Sequence, residues 1–391
     1  MDNTRAIWLD YLRSFITVLV VAHHAALAYP TFAHFDPAHY IYSTAPVVDD
    51  NRWAALDFLI GFNDIYFMSL MFFVSGLFVY RGLVKKGAKA YIRDRFIRLG
   101  IPFLVAEIVL IPLAYWPSFY LATHSTNLLN FLDDYVYHQQ WPVGPPWFIW
   151  LLLVFDGVIV LIFSVTPSFF TAFGHWLGRL NRQPFRLGLI SYGLVAINLV
   201  PVSLWVGQYT WIGDWGPFDF QLNRLFFYFL FFLLGSCLGA VDWQGYFFKA
   251  QKFLGRDWTF WGAFCLIFYL LFVLVSRSGA IWVSEGLFTP VVGYLLFDVA
   301  FVASCLFSIS ACLAFFKQKV NKPLQVWDNL SDNAYGIYIV HYGFVTWLQF
   351  ALRSAALPVF LKFTLVFVLS LLISWLVSML ARRISFVKRV I

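Results

Sequence analysis

The chain has 391 residues, 61% hydrophobic and 21% aromatic with only 12% charged, and a formal net charge of +7. That composition excludes a soluble globular domain and points to a polytopic membrane protein whose core is helix packed on helix. The positive charge does not read as a nucleic-acid surface, because the basic residues fall in alternate loops, as membrane topology requires.

Runs of about 20 apolar residues predict ten spans, at about 7–29, 56–81, 99–121, 146–165, 186–206, 223–241, 259–276, 288–315, 332–352 and 359–381. Arg81, Lys85, Lys86, Lys89, Arg93, Arg95 and Arg98 follow the second span. Arg179, Arg182 and Arg186 follow the fourth, and Lys249, Lys252 and Arg256 the sixth. Lys317, Lys319 and Lys322 come after the eighth; Arg382, Arg383, Lys388 and Arg389 come after the tenth. The intervening loops carry Asp36, Asp49, Asp50, Asp133, Asp134, Asp214 and Asp219 instead. The positive-inside rule then places both termini in the cytoplasm. The expected fold is an all-α polytopic membrane protein of about ten transmembrane helices, with residues 1–391 forming one integral-membrane domain and no separate soluble domain.

Ala26-Leu27-Ala28, behind Arg5 and an apolar run, resembles a signal-peptidase site. The run is nevertheless long enough to span, and a discarded leader has no use for Asp10, Arg13 and His24. The segment is read as retained. Cys237, Cys265, Cys305 and Cys312 lie in apolar runs without zinc or disulfide spacing, so no metal site is expected.

The polar residues inside the spans carry the functional signal. Arg13 and His24 stand eleven residues apart, and eleven steps of roughly 100° return a helix to within about 20°, so both share one face about 16 Å apart along the axis. Asp10 and Thr17 fall near that stripe, while His23 points elsewhere. Such residues at membrane depth are costly and usually serve a site inside the bundle. At about 1.5 Å per residue, Arg13 lies about 9 Å from the cytoplasmic edge and Glu107 roughly 12 Å, so an Arg13–Glu107 ion pair is expected. His24 and Asp64 both lie about 25 Å in. Asp64, or Asn63 beside it, is therefore expected to orient the His24 imidazole. His341 lies near mid-depth with Tyr338 one turn before it; alone, it reads as a hydrogen bond to a neighbouring helix. The tryptophans at 205–215 read as an interfacial belt or as a sugar-stacking platform.

Five landmarks, in order, resemble the membrane acyltransferase type 3 family, whose members acylate sugars and other hydroxyl-bearing envelope molecules. They are Leu9-Asp10-Tyr11-Leu12-Arg13 followed by His24; Phe72-Phe73-Val74-Ser75-Gly76; Arg95-Phe96-Ile97-Arg98 leading to Pro102; Pro146-Trp147-Phe148-Ile149; and Tyr335-Gly336-Ile337-Tyr338-Ile339-Val340-His341. Within the family, Phe62-Asn63-Asp64 and the long first outside loop look most like the branch that succinylates periplasmic glucans.

The resemblance implies an acyl-CoA donor from the cytoplasm, a saccharide or glycan acceptor from outside, and a bacterial inner-membrane location. The expected partners are these two and membrane lipid, with no nucleic acid and no cofactor beyond acyl-CoA as co-substrate; a homo-oligomer stays open. Arg13, Arg95 and Arg98 would hold the donor phosphates, and Arg suits bidentate phosphate contacts. His24, with Asp64, would act as general base on the acceptor hydroxyl; an acyl-histidine intermediate stays open beside that. Asp10, Glu107, Ser75, Trp147, Tyr338 and His341 would support the site. Ser69, Ser75 and Tyr338 are alternatives for steadying the oxyanion, and the sequence selects none of them. The rival reading is a glycan or lipid transporter, or flippase, using the polar stripe as a path.

Overall fold

The computed structural model describes residues 6–212, 216–249 and 252–391; Arg5, Asp214 and part of the tryptophan-rich stretch lie outside them. The described chain is a helical bundle. In chain order the main helices are α1 (Ile7–Ala26), α2 (Ala54–Gly76), α3 (Ala88–Thr123), α4 (Trp147–Val165), α5 (Pro184–Val206), α6 (Leu225–Gly239), α7 (Trp258–Ser284), α8 (Pro290–Lys319), α9 (Gln325–Leu352), α10 (Val359–Ala381) and α11 (Ser385–Val390).

Eight helical runs among the described residues are long and apolar enough to cross a membrane. The sequence reading had ten. The two helices not among the eight, α1 and α9, are diluted by the residues that make them interesting: Asp10, Arg13, His23 and His24 in one, Asp328, Asp332, Asn333, His341 and Gln349 in the other. A second departure concerns α3, which begins at Ala88, so that Arg93, Arg95 and Arg98 sit on helical turns and not in a loop. Ala-Lys-Ala-Tyr-Ile-Arg is good helix-forming sequence, and Gly87, at φ 76°, supplies the left-handed residue that turns the chain into it. Two π-helical turns, Phe96–Gly100 and Ala106–Leu110, interrupt α3. The helix Ser168–Leu180, unforeseen, buries Phe170, Gly174, Leu177 and Gly178 along one side.

Small residues set the closest helix crossing. A Cβ on Gly76 would overlap the Phe232 carbonyl, and one on Gly235 the Phe73 carbonyl, so α2 and α6 meet backbone to backbone. The seam between α1 and α9 is polar instead. Tyr11 Oη donates to Asp328 Oδ1 (2.9 Å), Ser14 and Ser331 share a hydrogen bond (2.7 Å), and His24 meets His341 (3.2 Å). Each pair is separated by the same 317 residues. A constant offset requires the two helices to run parallel in fixed register. Gln349 extends the seam by donating to the carbonyls of His24 (3.0 Å) and Ala25 (3.2 Å).

The segments between α1 and α2 and between α3 and α4 are laced together and cap one end of the bundle. Tyr40 Oη donates to Asp134 Oδ2 (2.7 Å), and Gln139 Nε2 to the Ala38 carbonyl (3.2 Å). Burial first, and then the hydrogen bond to Asp134, hold the Tyr40 phenol above its ordinary range. The cap is anchored by an ion pair inside the protein: Lys362 Nζ lies 2.7 Å from Asp49 Oδ2, their side chains 0% and 3% exposed. Lys362 also donates to the Arg353 carbonyl at 2.8 Å. Breaking such a pair leaves an uncompensated buried carboxylate. Lys362→Met is expected to lower stability by about 3–5 kcal/mol, read as an early thermal transition of purified protein, with Lys362→Met/Asp49→Leu recovering most of the loss.

Candidate active site

Among the described residues, α1 lines two cavities. One, of about 490 Å³, is lined by His23 and His24 with Asp64, Trp147, Tyr338 and Tyr342, among others. The other, of about 510 Å³, is lined by Asp10, Arg13, Thr17, Ser75, Arg95, Arg98 and Tyr338, with Arg382 and Lys388. Below they are called the histidine and arginine cavities. Arg13 and His24 thus open into different cavities from one helix, as eleven residues of rise require (about 16 Å).

In the histidine cavity, hydrogen bonds decide which nitrogen of His24 carries the proton. Nδ1 lies 2.8 Å from the Val20 carbonyl oxygen, which can only accept, so Nδ1 bears the hydrogen. His341 Nδ1 likewise donates to the Tyr338 carbonyl at 2.7 Å, leaving its Nε2 as an acceptor. That nitrogen stands 3.2 Å from His24 Nδ1. The His24 N–H is therefore shared between Val20 and His341, and in the neutral ring Nε2 carries the lone pair. No hydrogen bond engages His24 Nε2 among the described residues. The ring is held in place by Tyr342, edge-on at 5.2 Å, and by His341 at 5.1 Å between ring centres.

Asp64 lines this cavity together with His24, but its carboxylate belongs to another partner. Arg224 grips it in a fork, Nη2–Oδ2 at 2.7 Å and Nη1–Oδ1 at 2.9 Å, and is itself 3% exposed. The rings of Phe301 and Tyr209 flank the guanidinium at 4.7 and 5.1 Å. Asn63 is buried with neither amide atom paired among the described residues. The group that orients His24 is thus His341, with the Val20 carbonyl, and not the second-helix carboxylate. Trp147 contributes to the cavity wall, and Trp211 joins it edge-on at 5.9 Å, which brings part of the tryptophan-rich stretch into the cavity.

The arginine cavity holds five cations against the carboxylates of Asp10, Asp156 and Asp332. Arg13 is exposed into it, and its guanidinium has no hydrogen-bond partner among the described residues. Arg95 is pinned from one side only: Nε donates to Tyr91 Oη (2.8 Å), which donates to Asp156 Oδ1 (2.6 Å), and the Asp156 carboxylate lies 3.4 Å from Nε. The pinning leaves the outer fork of the guanidinium for a ligand. Arg98 is half-exposed beside Asp94 at 3.5 Å.

The expected Arg13–Glu107 pair does not form. Glu107 is 2% exposed, and neither carboxylate oxygen has a partner among the described residues. The depths were compatible, but the helices are not neighbours: α1 packs on α2, α8, α9 and α10, whereas α3 packs on α4 and α9. Ser75 opens into the arginine cavity and Ser69 is buried away from both, so of the three oxyanion alternatives Tyr338 alone reaches the histidine cavity. Sequence reasoning missed Arg224, Asp156, Arg382 and Lys388. The first two stand out as charges inside or at the edge of apolar runs; the last two were absorbed into the positive-inside pattern.

The buried fork predicts a specific stability pattern. Asp64→Asn strands the Arg224 charge and is expected to cost about 3–5 kcal/mol. Asp64→Leu/Arg224→Met removes both charges and should restore the thermal midpoint most of the way toward the parent value.

A profile of the family described as an acyltransferase domain matches residues 6–379. Glucans biosynthesis protein C of Shigella dysenteriae serotype 1 is 25% identical over 317 residues, covering 76% of this chain and 74% of its own. The same-named proteins of Salmonella paratyphi B and Salmonella schwarzengrund are 26% and 27% identical, with the same coverage. No solved structure matches. The family match covers every residue lining the histidine cavity and all those lining the arginine cavity except Arg382, Lys388, Val390 and Ile391: this chain belongs to the membrane acyltransferase type 3 family and is a multi-pass membrane acyltransferase.

Proposed function

We propose that the chain transfers an acyl group, acetyl or succinyl, from cytoplasmic acyl-CoA to a hydroxyl of an envelope glycan, with His24 as general base. The observation that carries this reading is the His24 ring itself: its Nδ1–H is claimed by Val20 and His341, so that Nε2 is the free base, on the same helix that presents unpaired Arg13 to the second cavity. A site that only bound or passed a substrate has no need of a fixed tautomer.

Ten membrane crossings with both termini in the cytoplasm follow the basic loops and turn the arginine cavity toward the cytoplasm of a bacterial inner membrane. There Arg13, Arg95 and Arg98, with Arg382 and Lys388, would meet the nucleotide phosphates, for which guanidinium forks are well shaped. The pantetheine arm would then rise past Ser75 toward Tyr338. From the histidine cavity, the acceptor hydroxyl would give its proton to His24 Nε2 as its oxygen attacks the thioester carbonyl. Collapse of the tetrahedral intermediate would expel the CoA thiolate, which takes the proton back from the imidazolium. Trp147 and Trp211 offer apolar ring faces to a sugar, and the names of the relatives point to a glucan as acceptor. No specific observation favours the transporter reading.

His24→Ala should reduce transfer from acetyl-CoA or succinyl-CoA to a glucan acceptor by roughly 10²-fold or more in protein that still shows a parent-like thermal transition. Near-parent activity would remove the mechanism. Arg95→Ala with Arg98→Ala should weaken acyl-CoA binding by about tenfold or more, since each charge-assisted contact contributes about 1.5–3 kcal/mol. Titration calorimetry with acyl-CoA reads this directly, and acceptor binding should change little; loss of acceptor binding alone would contradict the donor assignment.

A further inference from the structure

The two cavities stack end to end with a thin partition between them. The boundary falls between neighbouring turns on several helices. On α1 it lies between Thr17 and Val20, on α2 between Met71 and Met68, and on α6 between Phe232 and Tyr228, the first residue of each pair lining the arginine cavity and the second the histidine cavity. Three or four residues of helix rise make this partition about 5 Å thick. Rings fill it: Phe72, 0% exposed, packs on Phe148 at 4.6 Å, and Phe148 meets Tyr338 at 6.0 Å.

Tyr338 lines both cavities. It is also tied by a single polar contact, its phenol donating to the Pro145 carbonyl, in the Pro142–Trp147 stretch that walls the histidine cavity. Phe72 and Phe148 have no such tie: Phe72 is enclosed by packing, and Phe148, which lines the arginine cavity, packs on Phe72 and Trp147. Swinging the Tyr338 ring aside breaks one neutral hydrogen bond, net about 1 kcal/mol, and its packing on Phe148 and His341; moving Phe72, 0% exposed, would open the core. We propose that Tyr338 is the gate between the donor and acceptor cavities, its Pro145 hydrogen bond a latch that opens to admit the acyl thioester to His24 and otherwise closes the donor off from water in the histidine cavity. This rests on the acyltransferase reading above, and it assigns Tyr338 a positioning role, not proton transfer. Sequestering a reactive group until the acceptor is in place is a common use of small moving elements in enzymes.

The test compares two fluxes from acetyl-CoA in purified protein. One is acyl transfer to the glucan; the other is hydrolysis without acceptor, in which water replaces the hydroxyl and the products are acetate and free CoA. Tyr338→Ala removes the ring and should raise the ratio of hydrolysis to transfer by about tenfold or more. Tyr338→Phe keeps the ring and loses the latch, and should raise the ratio by roughly three- to tenfold, as one hydrogen bond of about 1 kcal/mol predicts. Acetyl-CoA affinity by calorimetry should stay within about twofold in both, because the phosphate cations are untouched. If the ratio does not rise while affinity is retained, the gate is wrong and the acyltransferase reading stands. If hydrolysis and transfer fall together, Tyr338 acts on the reacting atoms and the gate is again wrong. If the parent protein binds no acyl-CoA, the reading and the gate fall together. Tyr338→Phe also guards against misfolding of the alanine variant, since it preserves the packing.

Discussion

A single proton on His24 Nδ1 is shared between two acceptors, the Val20 carbonyl of its own helix and Nε2 of His341 across the bundle. In hydrocarbon, a polar group without a partner costs several kcal/mol, so the pairing constrains more than one ring. It requires α1 and α9 to lie parallel at one register, and the bonds from Tyr11 to Asp328 and from Ser14 to Ser331 hold that register from the other end of the seam. Several of the polar residues that dilute these two helices, His24, Asp328, His341 and Gln349, also bind them to each other. Sliding one helix past the other by a turn would break all three contacts and separate the histidines.

The charges of the interior sort by whether another residue claims them. Asp64 with Arg224, and Asp49 with Lys362, are locked together, the second pair fully inside the protein and the first with Asp64 at the wall of the histidine cavity. Arg95 is half-claimed, its Nε on Tyr91 and its outer nitrogens left over. The Arg13 guanidinium has no hydrogen bond among the described residues and faces the arginine cavity. A cation without a hydrogen bond in a cavity is stable only if water or an anion shares that cavity with it, a place the proposed donor phosphates would fill beside the carboxylates of Asp10, Asp156 and Asp332.

Much of this was legible in the residues. The helix positions followed from apolar runs, and the Arg13–His24 stripe followed from helical period alone. Asp64 and His24, expected near each other, do line one cavity. Helix adjacency is what one-dimensional spacing cannot supply. Arg13 and Glu107 share a depth but not a contact, because α1 and α3 are not neighbours. Asp64 was assigned to the nearest imidazole, whereas Arg224, at the start of α6, had the stronger claim as a full opposite charge. His341 looked ordinary for the same reason: its partner is 317 residues away, and only the parallel seam joins them. The repeated offset of that seam was present in the sequence but carries no signal until two helices are known to pair.

The account turns on His341 holding the His24 proton, and steady-state kinetics of His341→Phe test it most directly. The account predicts a kcat lower by on the order of tenfold to a hundredfold, because Nδ1 loses one of its acceptors and the ring is free to turn, with acyl-CoA affinity unchanged and the thermal midpoint close to the parent. A His341→Phe protein that transfers acyl groups at the parent rate would contradict it.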